Sequence, residues 1–232
     1  MLIYKEIALS LENKIIDGTY PKGHLLPAEN ELCEIFNASR MTVRKALDEL
    51  SKRGVIYKVK GKGTFVSKFE IYKDYTLKGF SQIMTEKGVN FRTVVRKFEI
   101  VEADHGVAEN LHVPLGSPVY NLERIRYIFE KPVGIESVYL KCDIFPDFLN
   151  YDFSKNSLYR TLEGDYGIIL SRVEQKISTL DIVGMDAKLL FNKSKATALY
   201  IEGIAYDKNT LPIEYERDIF NGNNYHVDVI IQ

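Results

Sequence analysis

No stretch of this 232-residue sequence approaches the ~20 consecutive apolar residues that a membrane span needs. The N-terminus, MLIYKEIALSLENK, also lacks the apolar h-region of a secretory leader. A cytoplasmic protein with no membrane partner is expected. Cysteine is scarce. Cys33 and Cys142 lie far apart with no C-x-x-C spacing, and they read as small buried residues in a reducing compartment. His24, His105, His112 and His226 are scattered, without H-x-x-x-H or H-x-H spacing, so no metal site is expected. No Ser-His-Asp order stands out. Gly61-x-Gly63 is followed by a strand pattern where a nucleotide loop needs a helix. No cofactor is implied, and there is no low-complexity segment or internal repeat.

What remains is an ordinary globular composition, 45% hydrophobic and 12% aromatic, which places the chain well clear of disorder. The net charge of −1 hides an asymmetry. Residues 1–68 carry 12 Lys and Arg against 8 Asp and Glu, a balance of +4, and the remainder carries 19 against 24, a balance of −5. A basic head on an acidic body suggests that the head alone meets a polyanion.

Along the chain, Ile3, Ile7, Leu11 and Ile15 recur every four residues, the stripe of an amphipathic helix that stops at Gly18. A turn-rich connection, 19–27, leads to a second helix over about 28–36, with Leu32, Cys33 and Phe36 inward. Ser39 can cap a third helix, in which Val43, Ala46, Leu47 and Leu50 form the core face. Gly54 ends it. Segments 55–60 and 64–68 flank Gly61-Lys62-Gly63 as a β-hairpin. Three helices and a β-ribbon make a winged helix-turn-helix. Residues 69–76 read as a patternless linker. After a short helix over 80–87, strands are expected at 92–101, 118–128, 133–141, 167–179, 198–205, 212–220 and 225–231. Helices are expected at 103–111, 157–163 and 183–190. Tight turns at Glu130-Lys131 and Lys208-Asn209 favour antiparallel neighbours, so 77–232 is expected to be an α+β domain on one antiparallel sheet with flanking helices.

The major groove of B-DNA admits an α-helix, and guanine offers O6 and N7 as paired acceptors for an arginine fork. Arg40 and Arg44 stand one turn apart near the start of the third helix and off its core face. Ser39 and Thr42 bring hydroxyls suited to phosphate oxygens. Lys60, Gly61, Lys62 and Gly63 form a wing tip able to approach the minor groove closely. On the pieces LPAENEL, SRMTVRKALDEL and GKGTFV, residues 3–66 resemble the N-terminal domain of the GntR family of bacterial transcription regulators. The resemblance implies base contacts from Arg40 and Arg44, backbone contacts from Ser39 and Thr42, and minor-groove contact around Gly61. Ala28 stands where the family usually has Ser, which removes a helix cap worth ~1 kcal/mol.

In the body, Arg124 and Arg126 alternate on one strand and leave the same face of the sheet. Such a pair either holds an anion between two guanidiniums or is salt-bridged to acidic neighbours such as Glu123 or Glu136. Ser81 and Ser157, each near the start of a short helix, can offer hydroxyls to the same anion, and Glu136 and Glu214 can accept from sugar hydroxyls or an amine. A three-residue loop at 130–132 would set Glu136 opposite Arg126; a two-residue turn at Glu130-Lys131 would set it on the wrong face. The three-residue loop is expected.

On GFSQIMTEKG, LERIRYI, GIESVYL, NSLYRTLE and LPIEYERDIF, residues 74–231 resemble the UTRA domain, the chorismate-lyase-like sensor of the HutC branch of that family. This resemblance implies an effector site lined by Ser81, Arg124, Arg126, Glu136, Ser157, Tyr159 and Glu214, with a phosphorylated sugar as the leading effector class. Two departures bear on the ligand. Phe220 replaces a Tyr used by sugar-phosphate sensors, and Asn221-Gly222-Asn223-Asn224-Tyr225 replaces an Arg-Gly-Asp-Arg-Tyr run. The expectation is a homodimeric regulator, a repressor of a palindromic operator, released by a small anionic effector. Two rivals stay open: a chorismate-lyase-like enzyme using Arg124 and Glu214, and a DNA-binding protein whose body only dimerises.

Overall fold

The computed structural model describes residues 2–52, 54–67, 71–73, 77–86, 89–128, 131–223 and 225–227, and the chain divides into two compact units, Met1–Glu70 and Ile71–Gln232. The first unit holds α1 (Ile3–Ile16), α2 (Glu29–Phe36), α3 (Arg40–Lys52) and the hairpin of β1 (Ile56–Val59) and β2 (Gly63–Val66). Its core is Ile7, Leu11, Leu32, Val43, Ala46, Leu47, Leu50, Ile56 and Val66. Ile3, expected in the α1 stripe, is exposed, because the helix starts there and has nothing above it to cover. The Ser-to-Ala change at position 28 leaves half of a capping box intact: the Ala28 N–H donates to Glu31 Oε2 at 2.7 Å. The hairpin register pairs Val59 with Gly63, so the tip is Lys60-Gly61-Lys62 rather than Gly61-Lys62-Gly63. Gly61 (φ 77°) and Gly63 (φ 111°) take backbone conformations that favour glycine.

In the second unit six strands form one antiparallel sheet. They are β4 (Phe91–Glu102), β5 (Pro118–Ile128), β6 (Lys131–Lys141), β7 (Leu170–Val183), β8 (Lys195–Asp207) and β9 (Pro212–Phe220), ordered β4-β5-β6-β9-β8-β7. The described part of the seventh expected strand, Tyr225–Val227, does not join it. Asn221 turns the chain back, its side-chain oxygen accepting from the Asn223 N–H at 3.0 Å and its carbonyl from the Tyr225 N–H at 3.0 Å. Strand β10 (Tyr225–Val227) then pairs in parallel with β3 (Ile71–Lys73). The expected linker 69–76 therefore contains a strand at 71–73; its other residues, like 228–231 of the expected last strand, lie outside the described ones.

One face of the sheet carries an aromatic core of Tyr120, Phe145, Phe148 and Phe153 beneath α6 (Leu158–Gly164). The other face is covered by α5 (His105–Leu111), which Asp104 caps by accepting from the Val107 N–H at 2.8 Å, and by α7 (Gly184–Phe191). The β5–β6 register differs from expectation. Lys131 and Pro132 pair with Ile128 and Tyr127, so neither is a loop residue. A bulge then shifts the ladder by one, and Glu136 faces Arg124 rather than Arg126. The parity survives, since Arg124, Arg126 and Glu136 share a face.

Candidate functional site

In the first unit, the start of α3 is built around Ser39. Its hydroxyl accepts from the Thr42 N–H at 3.2 Å and lies 2.8 Å from the Thr42 hydroxyl, the N-cap arrangement that satisfies free helix donors. Arg40 and Arg44 project into solvent, their side chains 62% and 56% exposed, so both are accessible to a large polyanion. One residue that the sequence did not flag braces them both. Glu29, at the start of α2, accepts from Arg44 Nε at 2.8 Å and from Arg40 Nε at 3.4 Å. Partial burial pushes the Glu29 carboxyl up, but the hydrogen bonds from Arg44 and Arg40 outweigh it and leave the group below its ordinary range. Lys60 and Lys62 sit at the wing tip, whereas Lys58 is tied back to Asp48 of α3 at 2.7 Å.

In the second unit, the seven residues expected around an effector all line one cavity of about 250 Å³. The sheet supplies Arg124 and Arg126 from β5, Glu136 from β6 and Glu214 from β9; α4 (Phe80–Glu86) supplies Ser81. Ser157 and Tyr159 come from the start of α6. Arg126 is locked in place. Its Nε and Nη2 donate to Glu136 Oε2 at 2.8 and 2.6 Å, its Nη1 donates to Thr93 Oγ1 at 2.6 Å, and its guanidinium lies 4.9 Å from the Phe80 ring centre. The same Glu136 oxygen takes Arg124 Nη2 at 3.1 Å. Glu136 thus realises the salt bridge that stood as the alternative to a bound anion, whereas Glu123 pairs instead with Arg96.

The bridge does not use up Arg124. Among the described residues its Nε, at 4% exposure, has no hydrogen-bond partner, and neither has Oε2 of Glu214 at 2% exposure. Burial and the adjacent Arg126 pull Arg124 down to about 10, so it stays charged near neutrality. Burial first, and the Glu216 carboxylate second, push Glu214 up to about 8. Burial and the Glu214, Glu216 and Asp218 carboxylates push the Tyr159 hydroxyl well above its ordinary range, so it remains a donor. The sequence reading missed Glu216 and Asp218, which line the same cavity. Phe220 closes it, stacked on Tyr225 with ring centres 3.8 Å apart, and Gly134 opposite leaves room for that ring, which any β-carbon there would strike.

Glu214 carries a stability cost with a defined sign. Its pKa is raised on folding, so folding stability from this group is full below the unfolded value and is lost as pH rises toward about 8. Glu214→Gln is therefore expected to raise the thermal midpoint of the empty protein near pH 8 and to have little effect near pH 4. The gain is on the order of 1–3 kcal/mol, the usual cost of a buried unsatisfied polar group. Thermal melts from pH 4 to 8 check this; a gap between variant and parent that does not widen with pH would remove the cause.

Two family models match the chain: the GntR family of bacterial regulatory proteins over residues 3–66, and the UTRA domain over residues 86–226. The chain belongs to the GntR family, in its UTRA-bearing HutC branch. Its relatives span nearly its whole length. The mannosyl-D-glycerate transport/metabolism system repressor MngR of Escherichia coli is 28% identical over 99% of this chain and 96% of its own. A probable fructoselysine utilization operon transcriptional repressor of the same organism is 31% identical over 91% of this chain and 87% of its own. The crystal structure of PhnF from Mycobacterium smegmatis superposes with a TM-score of 0.68 at 25% identity, covering 97% of this chain and 99% of that one. As a GntR-family member with a UTRA domain, the protein is a transcription regulator that binds DNA and a small-molecule effector, and not an enzyme.

Proposed function

We propose that this regulator is a cytoplasmic repressor that binds a palindromic operator as a homodimer and leaves it when a phosphorylated sugar enters the β5–β6–β9 cavity. The observation that carries the effector half is the buried pair of unpartnered atoms, Arg124 Nε and Glu214 Oε2, facing one enclosed space. Leaving buried polar atoms unsatisfied is costly, and a ligand with an anionic end and hydroxyl donors meets both. At about 250 Å³ the space sits just below the ~300–1,000 Å³ common for ligand pockets, which favours a small metabolite. The names of MngR and the fructoselysine repressor, both tied to sugar-linked compounds, point the same way.

In the DNA half, Arg40 and Arg44 read base edges in the major groove while Ser39 and Thr42 hold phosphates. Lys60, Gly61, Lys62 and Gly63 enter the minor groove. Glu29 holds the guanidiniums ready; an exposed ion pair is worth only ~0–1 kcal/mol, so DNA displaces it readily. One head reads a half-site, and a dimer sets the spacing between two. Effector binding shifts the protein toward an arrangement that no longer spans both, which requires the effector to favour that arrangement.

Fluorescence anisotropy of the protein on its own promoter DNA, with and without a panel of sugar phosphates, tests both halves. A sugar phosphate is expected to release the duplex and to stabilise the protein by about 2.7 kcal/mol at a hundredfold excess over Kd. Tight operator binding unchanged by every sugar phosphate would make the second unit a dimeriser only.

A further inference from the structure

We propose that Met41 reads a thymine in each operator half-site by packing against its C5-methyl group in the major groove. This deepens the assignment of α3 to that groove and rests on it. Val43, Ala46, Leu47 and Leu50 are buried and hold α3 to its own unit. The fifth apolar residue of the helix, Met41, is 83% exposed. At 3.6 residues per turn it lies about 170° round the helix from the middle of the core stripe. The packing that fixes α3 therefore also aims Met41 directly away from the core. It is the second residue of the helix, next to Arg40, and the N-terminal residues of a recognition helix are those that reach base edges.

The charged side chains around Met41 have partners of their own. Arg44, about 60° to one side, donates to Glu29 at 2.8 Å. Lys45, about 40° to the other side, holds its Nζ 4.4 Å from the Tyr4 ring centre. Asp48, two turns further along the same line, accepts from Lys58 at 2.7 Å. A solitary exposed apolar side chain is ordinary on a protein surface. What sets Met41 apart is its place, between the reading arginines in sequence and opposite the core in space. Neither phosphate nor water offers a thioether chain a favourable contact. The apolar feature of the major-groove edge is the thymine methyl, and apolar side chains recognise it by contact. Methionine is unbranched and polarizable, and so adapts its shape to that small target. Arg40 and Arg44 select guanine by hydrogen bonds, and Met41 adds a contact that selects thymine, so the helix tip distinguishes both kinds of base pair.

Deoxyuridine in place of thymidine removes the methyl group and nothing else, so it isolates this contact. The probe is the duplex that the full chain selects from a random-sequence pool, its thymidines replaced one at a time and binding followed by fluorescence anisotropy. At one thymidine in each half-site the replacement is expected to weaken the parent roughly fourfold, the value of one buried CH₂ group. Met41→Ala is expected to bind the intact duplex at least that much more weakly and to be indifferent to the same replacement. Met41→Leu keeps an apolar side chain and is expected to retain part of the sensitivity to the methyl. Met41 is 83% exposed, so thermal melts of both variants are expected to coincide with the parent's. A parent indifferent to every deoxyuridine, or a Met41→Ala variant as sensitive as the parent, would overturn the thymine contact while leaving Arg40 and Arg44 as base readers. Selection of no preferred sequence by the full chain would remove the base-reading role of α3 itself.

Discussion

Arg124→Ala is expected to leave operator binding in place and to abolish release by the effector. The guanidinium is 4% exposed, remains charged near neutrality, and among the described residues is held by Glu136 through Nη2, at 3.1 Å. Truncating one member of a buried charge interaction costs ~2–5 kcal/mol, which raises the effector concentration for half-release by a factor of roughly 30 to several thousand. The reading head is a separate compact unit, Met1–Glu70, so its fold does not depend on the missing side chain. Arg124→Lys separates charge from geometry. A lysine restores the positive charge but not the planar fork that Nε and Nη2 present, so partial recovery at most is expected. Half-release at the parent's effector concentration in Arg124→Ala would take this residue out of the site.

Much of this arrangement was legible because its causes are local. The α3 core face, the Ser39 cap and the glycine wing follow from spacings within one element, and each appears in the structure. The shared face of Arg124 and Arg126 is equally local, a consequence of strand alternation. What was not legible depends on distant partners. The β5–β6 register turns on a bulge near Val133 that no turn signal marks. The strand at Ile71–Lys73 exists through pairing with Tyr225–Val227, some 150 residues later, and its own three residues give no pattern. Glu29 braces Arg40 and Arg44 from a different helix, across a turn whose left-handed Asn37 sets the angle. Glu216 and Asp218 are a different case. The alternation that placed the arginines also places them beside Glu214, and applying it to EYERD on β9 would have shown three carboxylates on one face. That α4 and α6 close that face into a cavity was beyond any local reading.

Arg44→Ala is expected to change which sequence the head prefers, not merely how tightly it binds. The side chain is 56% exposed, one helical turn beyond Ser39 and off the Val43, Leu47 and Leu50 face, so its loss removes no core packing. A bidentate arginine–guanine contact is worth ~1–3 kcal/mol of discrimination, roughly 5- to 150-fold against the wrong base. Lys60→Ala provides the contrast. Its charge sits at the wing tip beside Gly61, where contacts with phosphate carry no sequence information. Its removal should weaken operator and unrelated duplex alike and lower the slope of log K against log salt by ~0.9. Measured on a set of single-base operator variants at two salt concentrations, Arg44→Ala should flatten the preference at one position in each half-site, whereas Lys60→Ala should shift all duplexes in parallel. An Arg44→Ala profile parallel to the parent's would make Arg44 a phosphate contact. Base reading would then fall to Arg40, the other guanidinium that Glu29 holds at the start of α3.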